Sequence, residues 1–209
     1  MSPRRSVAEA QRTRERLVGE ATAMASVEGL EGVTIGRLAD ATGLSKSGVT
    51  RHFPTKEELQ LEALAHALDL FVQAVWVPAA TRPAGLERLL AVCEHWCGYL
   101  AGDVFPGGCF LTAAAAEFDG REGRVRDAVR DGLERWLGVL AGEVRAAVDA
   151  GELEPGTDPA GLAYEILAFA LAANQARQLL GDEQAPARSL ALMRRSVLAR
   201  AAERSARRP

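Results

Sequence analysis

The stretch Thr34-Ile-Gly-Arg-Leu-Ala-Asp-Ala-Thr-Gly-Leu-Ser-Lys-Ser-Gly-Val-Thr-Arg-His-Phe-Pro-Thr-Lys-Glu-Glu58 decides the reading of this chain. Thr34 stands as an N-cap before a short helix of Ile35 to Ala41, which Gly43 ends. Ser45 caps a second short helix reaching His52. Pro54 stops it, because proline lacks an N–H and crowds the preceding turn. Thr55-Lys-Glu-Glu58 is then the Ser/Thr-x-x-Glu capping box of a longer helix. Two short helices around a turn at Thr42-Gly43-Leu44 have the helix-turn-helix layout, with Ile35, Leu38 and Ala39 facing inward from the first. Leu44, Val49 and Phe53 do so around the second.

Outward, the second helix presents Ser45, Lys46, Ser47, Thr50, Arg51 and His52. Short hydroxyls and cations suit phosphate oxygens and base edges. The helix N-terminus adds unpaired backbone N–H groups, which attract anions. The layout is the one that places a second helix in the DNA major groove. On residue chemistry alone, a merely solvated helix face accounts for the same side chains.

Working outward, helical spacing dominates and no alternating strand is evident. A first helix covers about 9–28, with Leu17, Ala21 and Met24 on one face. A long helix covers 56–76, where Leu61, Leu64, Leu68, Phe71 and Val75 form one stripe and Leu59, Ala63, Ala67 and Leu70 another. Pro78 and Pro83 bracket its end. Further helices are expected at about 84–101, 109–117, 122–149, 159–180 and 186–206, the helix at 159–180 opened by Asp158-Pro159. The fold class is all-α, with about nine helices.

The chain has 209 residues, 48% hydrophobic and 25% charged, which is the composition of a globular protein. Its longest uninterrupted apolar run, Ile166 to Ala173, is far short of the roughly 18 to 20 residues a spanning helix needs. No apolar stretch follows Arg4 and Arg5, so no secretory signal is read, and a cytoplasmic location without a membrane partner is expected. Cys93, Cys97 and Cys109 are an odd count without framework spacing, which suits a reducing compartment. Net charge is −3, yet residues 1–16 hold five Arg against two Glu. Residues 37–56 hold Arg37, Lys46, Arg51 and Lys56 against Asp40 alone, so two basic segments sit in a mildly acidic protein.

An enzyme is disfavoured. No GxxxxGK[ST] loop is present, and Gly43-Leu-Ser-Lys-Ser-Gly48 lacks the second glycine of a nucleophile elbow. His52, His66 and His95 have no metal or carboxylate spacing around them. Cys93 and Cys97, one helical turn apart, read as core residues; no metal site and no cofactor is implied.

Residues from about 12 to 60 resemble the DNA-binding domain of TetR-type transcriptional regulators. Thr13-Arg-Glu-Arg-Leu17 resembles the opening of the family's first helix. Gly32 to Gly48 resembles its second and third helices, and Arg51-His-Phe-Pro-Thr-Lys-Glu-Glu-Leu59 the start of its fourth. By matching position, the resemblance implies DNA contacts at Thr34, Ser45, Lys46, Ser47, Thr50, Arg51, His52 and Lys56, with Lys46 and Ser47 as base readers. Many members carry Tyr where this chain has Thr50. The Arg-rich segment 4–16 reads as a solvated terminus, with a DNA-contacting arm as the other reading.

The resemblance implies two domains: a helix-turn-helix domain at 1–54, and a helical effector-binding and dimerisation domain at 55–209, with helix 56–76 connecting them. Phe105-Pro-Gly-Gly-Cys-Phe110 and the following Ala113 to Phe118 resemble the effector domain of one subgroup. Candidates for a small-molecule pocket are the large side chains Trp76, Trp96, Tyr99, Phe105, Phe110, Trp136 and Phe169, with Glu94, His95 and Asn174 as polar anchors. Core filling by these aromatics is the plainer reading. A dimer face is expected on Leu162, Ile166, Phe169, Ala170, Ala173, Leu190, Met193 and Val197. The function implied is a homodimeric repressor released from a palindromic double-stranded DNA operator by a small, partly apolar effector. Two alternatives stand beside it: a thiol redox-sensing regulator using Cys109, and a helical interaction module that does not bind DNA.

Overall fold

The computed structural model describes residues 3–102 and 104–205, with side chains from 7 to 201 among them. The side chains of Arg4 and Arg5, Asp103 of the loop 102–108, and residue 206 of the expected last helix lie outside the described residues. All regular elements among the described residues are helical. They are α1 (Pro3–Glu28), α2 (Ile35–Thr42), α3 (Lys46–Thr50), α4 (Lys56–Phe71), a π-helical turn (Val72–Trp76) and α5 (Val77–Ala79). Then come α6 (Leu86–Ala101), α7 (Phe110–Phe118), α8 (Arg124–Asp149), α9 (Pro159–Leu180) and α10 (Ala185–Ser205).

The local signals explain most boundaries. Thr34 accepts from the Arg37 N–H and Ser45 from the Gly48 N–H, as N-caps do. Gly43, at φ 69°, closes α2 in a left-handed conformation that costs glycine nothing. Thr55 and Glu58 form the reciprocal capping box at distances of 3.1 and 3.3 Å. Asp158 accepts from the Ala160 N–H at the start of α9.

Two boundaries differ from expectation. The first helix starts six residues earlier, at Pro3, a residue whose missing N–H is no loss in a first turn. The long helix does not stop before Pro78 but runs through it to Ala79. The π turn ahead of the proline, where the Val77 N–H reaches back to the Val72 carbonyl, widens the helix where a proline ring would otherwise crowd it. This continuous run, Lys56–Ala79, is the one helix among the described residues with the length and hydropathy of a membrane span. It carries Glu62, His66 and Asp69 and buries Leu59, Ala63, Leu64 and Ala67 as a stripe, the pattern of an amphipathic helix in a protein core.

The contacts divide the chain into two compact units, one of residues 1–69 with 105–130 and one of 70–104 with 131–209. In the first, Leu17, Leu30, Leu38, Val49, Phe53 and Leu59 are fully buried, at 0–1% exposure. Each such side chain contributes about 1.5–3 kcal/mol. The segment 105–130 joins this unit through specific anchors. Glu117 of α7 accepts from the backbone N–H groups of Leu30 and Glu31, both at 2.8 Å. Gly29, at φ 77°, leaves room for that carboxylate: a Cβ there would lie 2.8 Å from it. Arg121 pairs with Glu31 at 3.5 Å and Arg124 with Glu57 at 3.0 Å.

In the second unit α6, α9 and α10 pack together. Leu89, Val92, Leu140, Val144, Leu162, Ile166, Met193 and Val197 are each 0–1% exposed. The N-terminus of α6 is held by carboxylates from elsewhere in the chain. Glu143 accepts from the Gly85 N–H and from Arg88, and Glu152 accepts from the Leu86 N–H. Arg177 closes the other end by donating to the Leu100 and Gly102 carbonyls.

These placements correct the expected dimer face. Leu162, Ile166, Ala170, Ala173, Met193 and Val197 lie at 0–2% exposure inside the core of a single chain, so they are not available to a second one. Phe169 and Leu190 are half-buried. The stripe is apolar because α9 and α10 pack against each other and α6 within the subunit.

Candidate DNA-binding site and the chain's relatives

Helix α3 is short because Ser45 and Phe53 fix both its ends. The Ser45 hydroxyl caps the Gly48 N–H at 3.1 Å, and Gly48 is what leaves space for it: a Cβ there would sit 3.3 Å from that oxygen. Val49 and Phe53, 0% and 1% exposed, nail the other side into the core. The helix therefore turns one fixed face outward, and Ser45, Lys46, Ser47, Thr50 and Arg51 are all exposed on it.

Lys46 and Arg51 form no ion pair among the described residues. Other cations of the unit are already engaged. Arg14 pairs with Glu62 at 2.8 Å, lies 4.7 Å over the Phe53 ring and donates to the His52 carbonyl. Arg37 pairs with Glu28. Lys56 donates to the Glu31 carbonyl at 2.9 Å and to its carboxylate at 3.0 Å. Gln60, Lys56 and Arg121 together hold the Glu31 carboxyl below its usual range, the Gln60 hydrogen bond contributing most.

Of the eight residues expected to touch DNA, five therefore form one exposed row. Thr34 is half-buried with its oxygen committed to a cap, His52 is half-buried, and Lys56 is tied inward to Glu31. Thr50 donates its hydroxyl proton to the Lys46 carbonyl at 2.8 Å, so toward a phosphate it offers only an acceptor. Sequence reasoning missed Glu31, Glu117 and Arg121. Their partners lie up to 87 residues away, and no local spacing marks them.

The pocket candidates scatter. Trp96, Tyr99 and Trp136 meet in the second unit, joined by Phe71, which periodicity places only in the stripe of the long helix. Phe105 and Phe110 belong to the first unit, 5.5 Å apart. Glu94 is exposed and paired with Arg194 at 2.7 Å, so it anchors nothing inside; a surface charge pair needs no ligand. His95 and Phe169 are half-buried, Asn174 is buried, and Trp76 lies 5.8 Å beneath Arg88. Cys109, expected to be accessible for redox chemistry, is only 3% exposed because its side chain starts α7 from inside the core. Burial pushes the Cys93 and Cys97 thiols up to about 12, which keeps them protonated and unreactive at neutral pH.

Comparison with known proteins agrees with this geometry. Residues 17–63 match the family described as bacterial regulatory proteins, tetR family, and residues 85–193 match the tetracyclin repressor-like C-terminal domain. The chain is similar to the HTH-type transcriptional regulator TcmR of Streptomyces glaucescens, 31% identical over 134 residues. That alignment covers 64% of this chain and 53% of TcmR, so the chain spans about half the length of this curated relative. A TetR transcriptional regulator from Chloroflexus aurantiacus J-10-FL is 28% identical, with 88% of this chain and 93% of that one covered at a TM-score of 0.82. The fold is shared too with AibR, solved in complex with isovaleryl coenzyme A and operator DNA, at 20% identity and a TM-score of 0.68 over 86% of this chain and 97% of that one. Two family matches in the family's order, the second spanning half of the chain, identify the type, whose members are non-catalytic DNA-binding proteins. The chain belongs to the TetR family of transcriptional regulators.

Proposed function

We propose that this protein is a homodimeric repressor that reads a palindromic operator in the cytoplasm and releases it when a small, partly apolar molecule binds the C-terminal helical domain. The observation that carries the DNA reading is the exposed row Ser45, Lys46, Ser47, Thr50 and Arg51 on α3, with neither cation in an ion pair among the described residues. Within that row Lys46 and Ser47 read bases, and Arg51 contacts phosphate. Thr34, His52 and Lys56 keep supporting places at its margin, where small rearrangements on binding bring them to the backbone. The family match over 17–63 supports a DNA-binding domain ending near residue 54, and the match over 85–193 supports an effector domain after it. AibR, of the same fold, holds effector and operator in one complex.

Dimerisation is assigned to the outer faces of α9 and α10 instead of the buried stripe. Ala160, Tyr164, Ala168, Leu171 and Gln175 recur at helical spacing on α9 and are all exposed, Tyr164 at 69% and Leu171 at 39%. Ala191 and Leu198 do the same on α10. An apolar stripe of this kind in a folded subunit marks a contact surface. Leu171→Glu should therefore convert dimer to monomer in sedimentation equilibrium with helical content retained; a dimer of unchanged strength would move the interface elsewhere.

The reading as a whole is tested by selecting bound sequences from random duplex DNA with the purified, ligand-free protein. An enriched palindrome with half-sites about one helical turn apart, or a related spacing, is expected. Binding should weaken steeply as salt rises, since cation–phosphate contacts release counterions. A protein with full helical content that enriches no sequence would refute specific DNA reading.

A further inference from the structure

Four aromatic side chains meet in the second unit. Phe71 stands edge-to-face on Trp136 at 4.8 Å, on Tyr99 at 5.2 Å and on Trp96 at 5.9 Å, and the two indoles lie 5.3 Å apart at 85°. Trp96 is 2% exposed and Trp136 7%. Neither indole Nε1–H has a hydrogen-bond acceptor among the protein's described atoms. Buried N–H groups are nearly always paired, and an orphan one carries a desolvation cost that calls for an explanation. Other buried polar groups of the unit are satisfied: Ser189 donates to the Phe169 carbonyl, and Glu143 accepts from Gly85 and Arg88. A third orphan, the Thr157 hydroxyl, lies in the loop before α9. Two orphans in one aromatic cluster are a different matter from one hydroxyl in a loop. The π-helical turn, a backbone form frequent at functional sites, begins at the residue after Phe71.

We propose that Trp96 and Trp136 are the hydrogen-bond donors of the effector site, and that the effector is an uncharged aromatic carbonyl compound. This rests on the reading of the protein as an effector-responsive regulator and names the class of molecule it senses. An indole only donates, so the complementary group is an acceptor oxygen; a carbonyl oxygen has two lone pairs, enough for both N–H groups. The four clustered rings carry no charge, so an ionised ligand would lose its hydration without a partner. Edge-to-face rings extend naturally to a further flat ring placed among them.

The test uses 9-fluorenone and its hydrocarbon counterpart fluorene, which has the same frame without the oxygen. The full-length protein carries 15N in its three tryptophans, Trp76, Trp96 and Trp136. Fluorenone is expected to move the indole N–H signals of Trp96 and Trp136 downfield and leave that of Trp76 in place, while fluorene moves neither downfield. Trp96→Phe and Trp136→Phe, checked for helical content, should each weaken fluorenone binding at least tenfold. Failure of fluorenone to bind, binding with both indole signals unmoved, or equal affinity for fluorene would each overturn the proposal. Selection of a palindrome by the same preparation separates the two failures: DNA reading without fluorenone binding overturns only the effector class. Because the indole signals are read on the unmutated protein, a variant that misfolds leaves that result intact.

Discussion

Replacing Lys46 and Arg51 together by alanine is expected to abolish operator-specific binding while the fold and its stability stay as they are. Both side chains are exposed, and neither is paired within the described residues, so their removal leaves no buried group unsatisfied. Each good contact to a base edge is worth about 1–3 kcal/mol, so the pair should cost roughly 30- to 10⁴-fold in affinity per subunit. Arg51→Ala alone, if Arg51 contacts a phosphate as proposed, should also flatten the salt dependence by about one unit of slope per contact. The measurement is a set of binding isotherms on the selected operator at several salt concentrations, beside circular dichroism. An unchanged isotherm with normal helicity would remove α3 from the DNA interface. Lys56→Ala provides the contrast: its ammonium group is held by Glu31, so its loss should act on the packing of α4 against the α1–α2 loop as much as on DNA.

Gly107→Ala is expected to be among the most destabilising single-methyl changes in the chain. A Cβ at Gly107 would stand 1.5 Å from the Ser26 carbonyl oxygen and 2.5 Å from its carbon, both of them backbone atoms of α1. No rotamer relieves such a clash. The loop would have to retreat by about 2 Å to restore ordinary van der Waals contact, loosening the anchor between 105–130 and the helix-turn-helix. A cost of about 3 kcal/mol, the upper end for overpacking, would lower Tm by roughly 6–12 °C. Gly138→Ala in the middle of α8 is the control. It meets nothing within 4 Å, and alanine there should stabilise by about 0.5–1 kcal/mol. Thermal melts of the two variants beside the parent decide the matter; equal melting of Gly107→Ala and the parent would mean that the loop has slack the geometry denies.

Both predictions depend on contacts between segments far apart in sequence, and that separates what was legible from what was not. Thr34, Gly43, Ser45 and the Thr55–Glu58 box act on backbone groups within five residues of themselves, so their roles follow from residue type and spacing alone. The helices, the helix-turn-helix and the outward row on α3 are of that kind. The Glu117 anchor is of the other kind: two ordinary exposed-looking segments meet only because the chain folds 105–130 back onto the α1–α2 loop.

Lys56 and α9 show the same division within a single residue and a single helix. Lys56 matches a DNA-binding position in sequence, and only the fold shows its charge engaged by Glu31. Helix α9 is apolar on more than one side, and periodicity reports that both faces want burial without saying against what. The sequence by itself determined an all-helical regulator with a reading helix at 46–50. Only the tertiary structure decided that Leu162, Ile166 and Met193 belong to the subunit's own core and Tyr164 and Leu171 to its surface. The reason is physical: a hydrophobic stripe is satisfied by any apolar neighbour, and which neighbour it meets is set by where the other helices lie.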